Sequence, residues 1–285
     1  MFTWDYIRGR KEKQEKSEGE NVKIWDEMLV HIKEWVIEAG KEQVKRLEEP
    51  VAMKSKTSAI DLVTEVDEWT DSFFVDKIKM YYPNHKILTE ETGAHTGEEN
   101  YEWVIDPIDG TVNYAHHFPL FCISVAVKYK GETVIGVVYM PKLNEMYEAI
   151  KGKGAKLNGE KIAVSKTNEL NRAVLATGFP YDKATDPENN VGNFTKLITK
   201  IGGIRRTGSA AIDLCQVACG RFDAYWELKM NEWDIAAGLL IVEEAGGKTL
   251  TLKMKKGYKV LAGNPQIFPL VQKELHWNAE GDEHE

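Results

Sequence analysis

Apolar residues along the chain follow two rhythms, and the change between them divides the sequence. Over residues 22–47, Trp25, Met28, Leu29, Ile32, Trp35, Val36 and Ala39 recur at helical spacing and mark one face of a long amphipathic helix. After a polar link containing Lys54, Lys56 and Ser58, the residues Val66, Trp69, Phe73, Phe74 and Ile78 repeat that spacing, and this second helix must stop before Pro83. The period then shortens. Ile87-Leu88, Trp103-Val104-Ile105 and the runs 122–127 and 134–139 predict strands, with Lys130-Gly131-Glu132 as the turn joining the last two. Residues 145–162 continue as strand pieces, and Asn158-Gly159 within them is a strong hairpin dipeptide.

The second half alternates. Strands are predicted at 173–177, near Ile204, at 222–226, near Leu250 and near Val260; helices are predicted over 191–201, 209–219, 234–245 and 265–275. Paired helices before a hairpin-containing sheet, followed by alternating βα elements, predict an α/β (α+β layered) architecture rather than a bundle or barrel. We expect a charged tail at 1–21, an N-terminal half at 22–168, a C-terminal half at 169–277 and a short tail at 278–285. The halves should pack as one unit around the working site, with a soft boundary near 166–172.

Composition narrows the class. With 285 residues, 42% hydrophobic and 29% charged, the chain can bury a sizeable core and resembles neither a disordered nor a fibrous sequence. A net charge of −8 argues against a broad grip on nucleic acid or an anionic membrane. No apolar stretch approaches the ~20 residues needed to span a bilayer. The run from Arg8 to Glu20 lacks the apolar region of a secretory signal and reads as a solvated leader without regular structure. The three cysteines, Cys122, Cys215 and Cys219, are too few for a disulfide framework; they are expected to be ordinary core residues in a reducing cytoplasm.

The candidate chemistry begins at Trp103-Val104-Ile105-Asp106-Pro107-Ile108-Asp109-Gly110-Thr111, an apolar strand ending in two carboxylates, a glycine and a hydroxyl. Ligands in α/β sheets favour the carboxyl ends of strands, and the residues after Gly110 are able to start a helix with free N–H groups. Alone the segment also reads as a simple turn. Three further features accompany it: Thr89-Glu90-Glu91-Thr92 after another apolar pair, Trp233-Asp234 before a helix, and Asp67 in Asp61-Leu62-Val63-Thr64-Glu65-Val66-Asp67. Taken singly, Asp234 reads as a helix N-cap and Asp67 as a surface acid in a first helical turn.

Those four segments, in this order, resemble the inositol monophosphatase family over most of the chain. The resemblance implies the alternating αβαβα layers of the sugar-phosphatase fold and a site for two or three Mg2+ ions. By position, Glu90, Asp106 and the carbonyl of Ile108 resemble the ligands of one magnesium, and Asp106, Asp109 and Asp234 those of a second. A looser third ion is expected near Glu90, with Glu91 beside it. Asp67 and Thr111 resemble the pair that orients the attacking water, with Glu90 also counted as catalytic, and Gly110 and Thr111 match the phosphate cradle. Asp109, Ser209, Ala210 and Glu227 fall where relatives meet the alcohol; Ser209 stands where Thr is common. Lys56 matches a loop lysine near the site. Arg205 and Arg206 read as strand-flanking surface charge in preference to a second phosphate site, and His116 and His117 as loop residues.

The residues support this independently. Oxygen ligands suit magnesium, and like carboxylates ~4 Å apart repel by about 4 kcal/mol at an effective dielectric of ~20, so such a cluster needs cations or protons. The expected activity is magnesium-dependent hydrolysis of a small polyol or sugar monophosphate by direct attack of metal-activated water, with myo-inositol 1-phosphate preferred. Fructose 1,6-bisphosphate, NADP or a 3′-phosphoadenosine nucleotide are alternatives with the same metal signature. A non-catalytic regulatory binding protein is the alternative of another class. Homodimerisation and lithium sensitivity are implied by the resemblance alone; no nucleic acid or membrane partner is expected.

Overall fold

The computed structural model describes residues 3–47, 53–55, 62–275 and 277. Helix α1 (Thr3–Arg46) leads to the short strands β1 (Met53–Ser55) and β2 (Leu62–Thr64), then to α2 (Glu65–Tyr81). Next come β3 (Lys86–Thr89), β4 (Gly93–His95), β5 (Tyr101–Asp109), the short α3 (Thr111–Ala115), β6 (Cys122–Tyr129), β7 (Glu132–Met140), β8 (Glu145–Ile150), β9 (Ala155–Leu157) and β10 (Glu160–Lys161). The second half runs β11 (Val174–Thr177), α4 (Val191–Ile198), β12 (Gly203–Arg205), α5 (Ala210–Ala218), β13 (Ala224–Met230), α6 (Glu232–Glu244), β14 (Lys248–Lys253), β15 (Tyr258–Gly263) and α7 (Phe268–Leu275).

Strands β3 to β10 form an eight-stranded sheet in the order β10-β9-β8-β7-β6-β5-β3-β4, and β11 to β15 form a five-stranded sheet in the order β12-β11-β13-β15-β14. Most neighbours are antiparallel; β3/β5, β11/β12 and β11/β13 are parallel. The predicted hairpin at Asn158-Gly159 has φ of 50° and 86°, the left-handed pair that a two-residue turn between twisted strands requires.

Strand alternation explains the layering. On β6, Ile123, Val125 and Val127 pack with Ile32, Trp35 and Val36 of α1 and Phe74 and Ile78 of α2. Cys122 and Ala126, at the alternate positions, face the opposite way, against Ile212 and Cys215 of α5 and Ala237 and Ile241 of α6. That middle layer is shared with Ala176, Tyr225 and Val260 of the second sheet. The sheet's far face, through Leu175, Trp226 and Leu261, is covered by Leu197 of α4 and Val271 and Leu275 of α7. The result is the expected αβαβα order of layers.

Two expectations change. The segment 8–20 is helical and continuous with α1, not an irregular leader; its Lys, Glu, Gln and Arg residues are good helix formers, and the helix behind them removes the cost of nucleation. Helix α6 begins at Glu232, two residues earlier than predicted, so Asn231 is its N-cap and Asp234 lies inside the first turn. Among the described residues, no helix is long and apolar enough to cross a membrane.

Candidate functional site

Asp106 and Asp109 are three apart, which in a regular strand would send them to opposite faces. The pairing of β5 with β6 slips between them: Asp106 lies opposite Ser124 and Asp109 opposite Cys122. Three steps on one strand thus match two on the other, the bulge bends the strand, and both carboxylates turn to the same side. The carbonyl of Pro107 accepts a 3.0 Å bond from the buried side-chain amide of Gln43 on α1, which also bonds Thr70 of α2. The turn ends at Gly110, whose φ of 99° suits glycine and starts α3.

The parallel pair β3/β5 places Thr89 beside Ile105, so Glu90 follows beside Asp106, and its amide donates to the Ile105 carbonyl at 3.3 Å. Asp67, in the first turn of α2, is fully buried rather than on the surface. The Thr111 hydroxyl stands 3.0 Å from both Asp67 Oδ1 and the Ile108 carbonyl, and its single proton serves one of them at a time.

Two helices of the second half aim their N-termini at this turn. Ser209 caps α5: its Oγ accepts from the Ile212 amide at 3.2 Å and donates to Asp109 Oδ2 at 2.7 Å. On α6, Asp234 Oδ2 accepts from the Asn231 amide at 2.6 Å. The Asp234 side chain therefore closes its helix terminus from within.

These elements enclose a cavity of about 650 Å³. Glu90, Asp106, Ile108, Asp109, Gly110, Thr111, Ser209, Ala210, Glu227 and Asp234 line it. Asp67 is tied to the wall through Thr111. Neither Glu91 nor the two histidines belong to the lining, and Lys56 lies outside the described residues, as does the tail from 278. Arg205 and Arg206 are both exposed, as expected of surface charge, but Arg206 also lines the cavity, whereas Arg205 rests Nη1 on the carbonyl of Ile204. Asp213 went unnoticed in the sequence. It sits one helical turn after Ser209, lines the same cavity and is buried, with Oδ1 lacking a partner. The four-residue spacing from Ser209 on a largely apolar helix was its only signal.

Burial raises Asp106 well above the usual carboxylate range, and the charges of Glu90, Asp109 and Asp234 push it further. Asp234 is raised likewise by burial and by Asp109 and Glu90. Burial pushes Asp109 up to about 6, against the bonds from Ala211 and Ser209 that favour its charge. Glu227 rises to about 7 through burial, opposed by the Tyr225 hydroxyl and by Arg206.

Among the described residues, no three His, Cys, Asp or Glu side chains are drawn around one point tightly enough to form a finished ion site. The carboxylates instead share a wall, with oxygens of Asp109 and Asp234 turned to backbone amides. The donor chemistry nevertheless fits a hard divalent cation: buried, mutually repelling carboxylates, with neither His nor Cys in the described lining.

A model of the inositol monophosphatase family matches residues 24–279. Nus factor SuhB of Salmonella typhimurium is 41% identical over 235 residues, 80% of this chain and 88% of that protein. Inositol-1-monophosphatase of Synechocystis is 43% identical over 215 residues, 75% of each chain. The solved structure of inositol monophosphatase from Anabaena (Nostoc) superposes with a TM-score of 0.77 at 38% identity, covering 85% of this chain and 92% of that one. The match of the family model across nearly all the described core, with the layered fold and the acidic wall it surrounds, identifies this chain as a member of the inositol monophosphatase family.

Proposed function

We propose that the protein is a magnesium-dependent phosphatase acting on a small polyol monophosphate, with myo-inositol 1-phosphate as the preferred substrate. The observation that carries this reading is the convergence of Glu90, Asp106, Asp109 and Asp234 on one cavity wall beside the Asp67–Thr111 pair. The cavity volume of about 650 Å³ falls within the ~300–1,000 Å³ range of small-molecule sites.

In this reading Glu90, Asp106, Asp234, Asp109 and the Ile108 carbonyl hold two or three ions. Bound magnesium would neutralise the carboxylates, attract the phosphate dianion and acidify a water molecule. The Thr111 hydroxyl orients the attacking water and takes its proton while passing its own to the buried Asp67 carboxylate behind it. The backbone of Gly110 and Thr111 meets the phosphate; Ser209, Ala210, Asp109 and Glu227 meet the alcohol. Glu227 accepts hydrogen bonds from neighbouring hydroxyls and repels a second phosphate, which favours a polyol over a bisphosphate. Arg206 at the rim is the group a second anion would seek, so fructose 1,6-bisphosphate belongs in the substrate panel.

A second reading follows from the name of the Salmonella relative, Nus factor SuhB: a partner-binding role in transcription, with or without catalysis. Phosphate release from myo-inositol 1-phosphate, fructose 1,6-bisphosphate, NADP and 3′-phosphoadenosine 5′-phosphate, with magnesium and with EDTA, separates the two. Turnover that requires magnesium and is lost in Asp106→Asn supports the phosphatase. Folded wild type that releases phosphate from none of them overturns it as stated and moves weight to the binding role.

A further inference from the structure

The alcohol end of the cavity contains a contact between two strands that constrains one residue type. Strand β11 runs parallel to β13 with Thr177 beside Trp226, so the next residues, Gly178 and Glu227, face each other where both strands reach the cavity. A β-carbon at Gly178 would lie 2.0 Å from Glu227 Oε1, 2.3 Å from Cδ and 2.3 Å from Oε2. All three carboxylate atoms therefore occupy the space that a side chain at 178 would claim.

The backbone beneath cannot give way easily. The Gly178 carbonyl accepts a 2.6 Å bond from Asn190 Nδ2, and the Thr177 hydroxyl donates to the Trp226 carbonyl at 2.7 Å. Asn190 Oδ1 in turn accepts from Trp226 Nε1 at 2.8 Å. Thr177, Asn190 and Trp226 are all buried, so shifting the strand would leave polar groups unpaired in the interior. The carboxylate is the movable partner. It is held from the other side by Tyr225, two residues earlier on the same strand face, whose buried hydroxyl donates to Oε2 at 2.8 Å.

We propose that Gly178 and Tyr225 are specificity-determining positioning residues. The missing side chain at 178 provides the seat for the Glu227 carboxylate, and the Tyr225 hydroxyl sets its rotation. Together they aim the carboxylate at adjacent hydroxyls of a cyclic polyol phosphate, in preference to phosphate esters whose alcohol lacks such hydroxyls. This rests on the phosphatase reading above and adds to it the two residues through which Glu227 acts. Any side chain at 178 expels the carboxylate from its seat and breaks the bond to Tyr225. Gly110 and Thr111, which meet the phosphate in this reading, are not among the groups nearest to a β-carbon at 178.

The test measures kcat and KM for myo-inositol 1-phosphate and for p-nitrophenyl phosphate, which has no hydroxyl on its leaving group. The variants are Gly178→Ala, Tyr225→Phe, Glu227→Ala and the double variant Gly178→Ala/Glu227→Ala, with Gly192→Ala, where an added β-carbon meets nothing within 4 Å, as control. Gly178→Ala is expected to lower the preference for the inositol ester about tenfold, chiefly through KM, because a misplaced hydrogen-bonding group loses its substrate hydroxyl. Tyr225→Phe should lower it about threefold, the effect of one hydrogen bond. In the Glu227→Ala background the substitution at 178 should change the preference less than about twofold, since the residue it acts through is gone.

An unchanged preference in Gly178→Ala overturns the inference, as does an equal fall with and without Glu227. If Gly178→Ala fails to fold, Tyr225→Phe decides: a preference equal to wild type overturns it. Wild type that hydrolyses neither ester overturns the phosphatase reading and this inference with it, an outcome distinct from active wild type with insensitive variants.

Discussion

Asp109 Oδ2 accepts a 2.6 Å hydrogen bond from the backbone amide of Ala211, joining the end of a strand in one sheet to the first turn of a helix packed on the other. The same oxygen accepts from the Ser209 hydroxyl, which also caps that helix. A carboxylate at a helix N-terminus is favourable for the helix and holds the two halves of the cavity in register. Ser209→Ala removes the cap and one bond to Asp109. We expect a loss of about 1–2 kcal/mol in urea unfolding, with m unchanged.

Thr111 and Asp67 form the other critical pair, 3.0 Å apart. Thr111→Val keeps the shape and deletes the hydroxyl. Steady-state kinetics should show kcat lower by about 100-fold with little change in KM, the pattern of a group that acts on the water and not on substrate binding. Equal activity in the variant would remove Thr111 from the proposed mechanism.

Glu227 makes a pH prediction whose sign is fixed. Its folded pKa is raised to about 7 by burial from an ordinary value of 4.5. Between those values the folded state binds more protons than the unfolded one, so ionisation of this group lowers stability as pH rises. Its contribution is fully present below 4.5 and lost through about 7. Glu227→Gln should therefore melt higher than wild type at pH 8 in EDTA, and the gain should vanish near pH 4.5. A variant that melts lower at both pH values contradicts the assignment.

Magnesium should stabilise the fold without any substrate. A ligand bound only by the native state adds about 2.7 kcal/mol at a hundred times its Kd. Melting of the wild type should rise with added magnesium and return with EDTA, while Asp106→Asn and Asp234→Asn should lose most of the shift. The same substitutions should raise the melting temperature in EDTA, because each removes a buried carboxylate that its neighbours repel.

Much of the acidic wall was legible in one dimension because it is local in sequence. Asp106 to Thr111 close one apolar strand and open the next short helix, and Glu90 follows the neighbouring strand. What was misjudged depended on partners far along the chain. Taken singly, Asp67 looked like a surface acid, and only the family resemblance paired it with Thr111, since its position in a first helical turn says nothing of a hydroxyl 44 residues away. Asp213 offered only its four-residue spacing from Ser209, and nothing local separated Arg206 from its exposed neighbour Arg205, because their places on the cavity follow from how α5 packs against the second sheet.

The sequence by itself determined the helical and strand periods, the order of elements and the chemical character of the donors, all of which rest on neighbours a few residues apart. Only the tertiary structure decided which side chains face one another. The slipped register of β5 against β6 brought Asp106 and Asp109 to one side, and the parallel β11/β13 pair set Gly178 under Glu227. Register and sheet packing depend on contacts between residues tens to a hundred positions apart, and no local pattern encodes the distance at which two such residues meet.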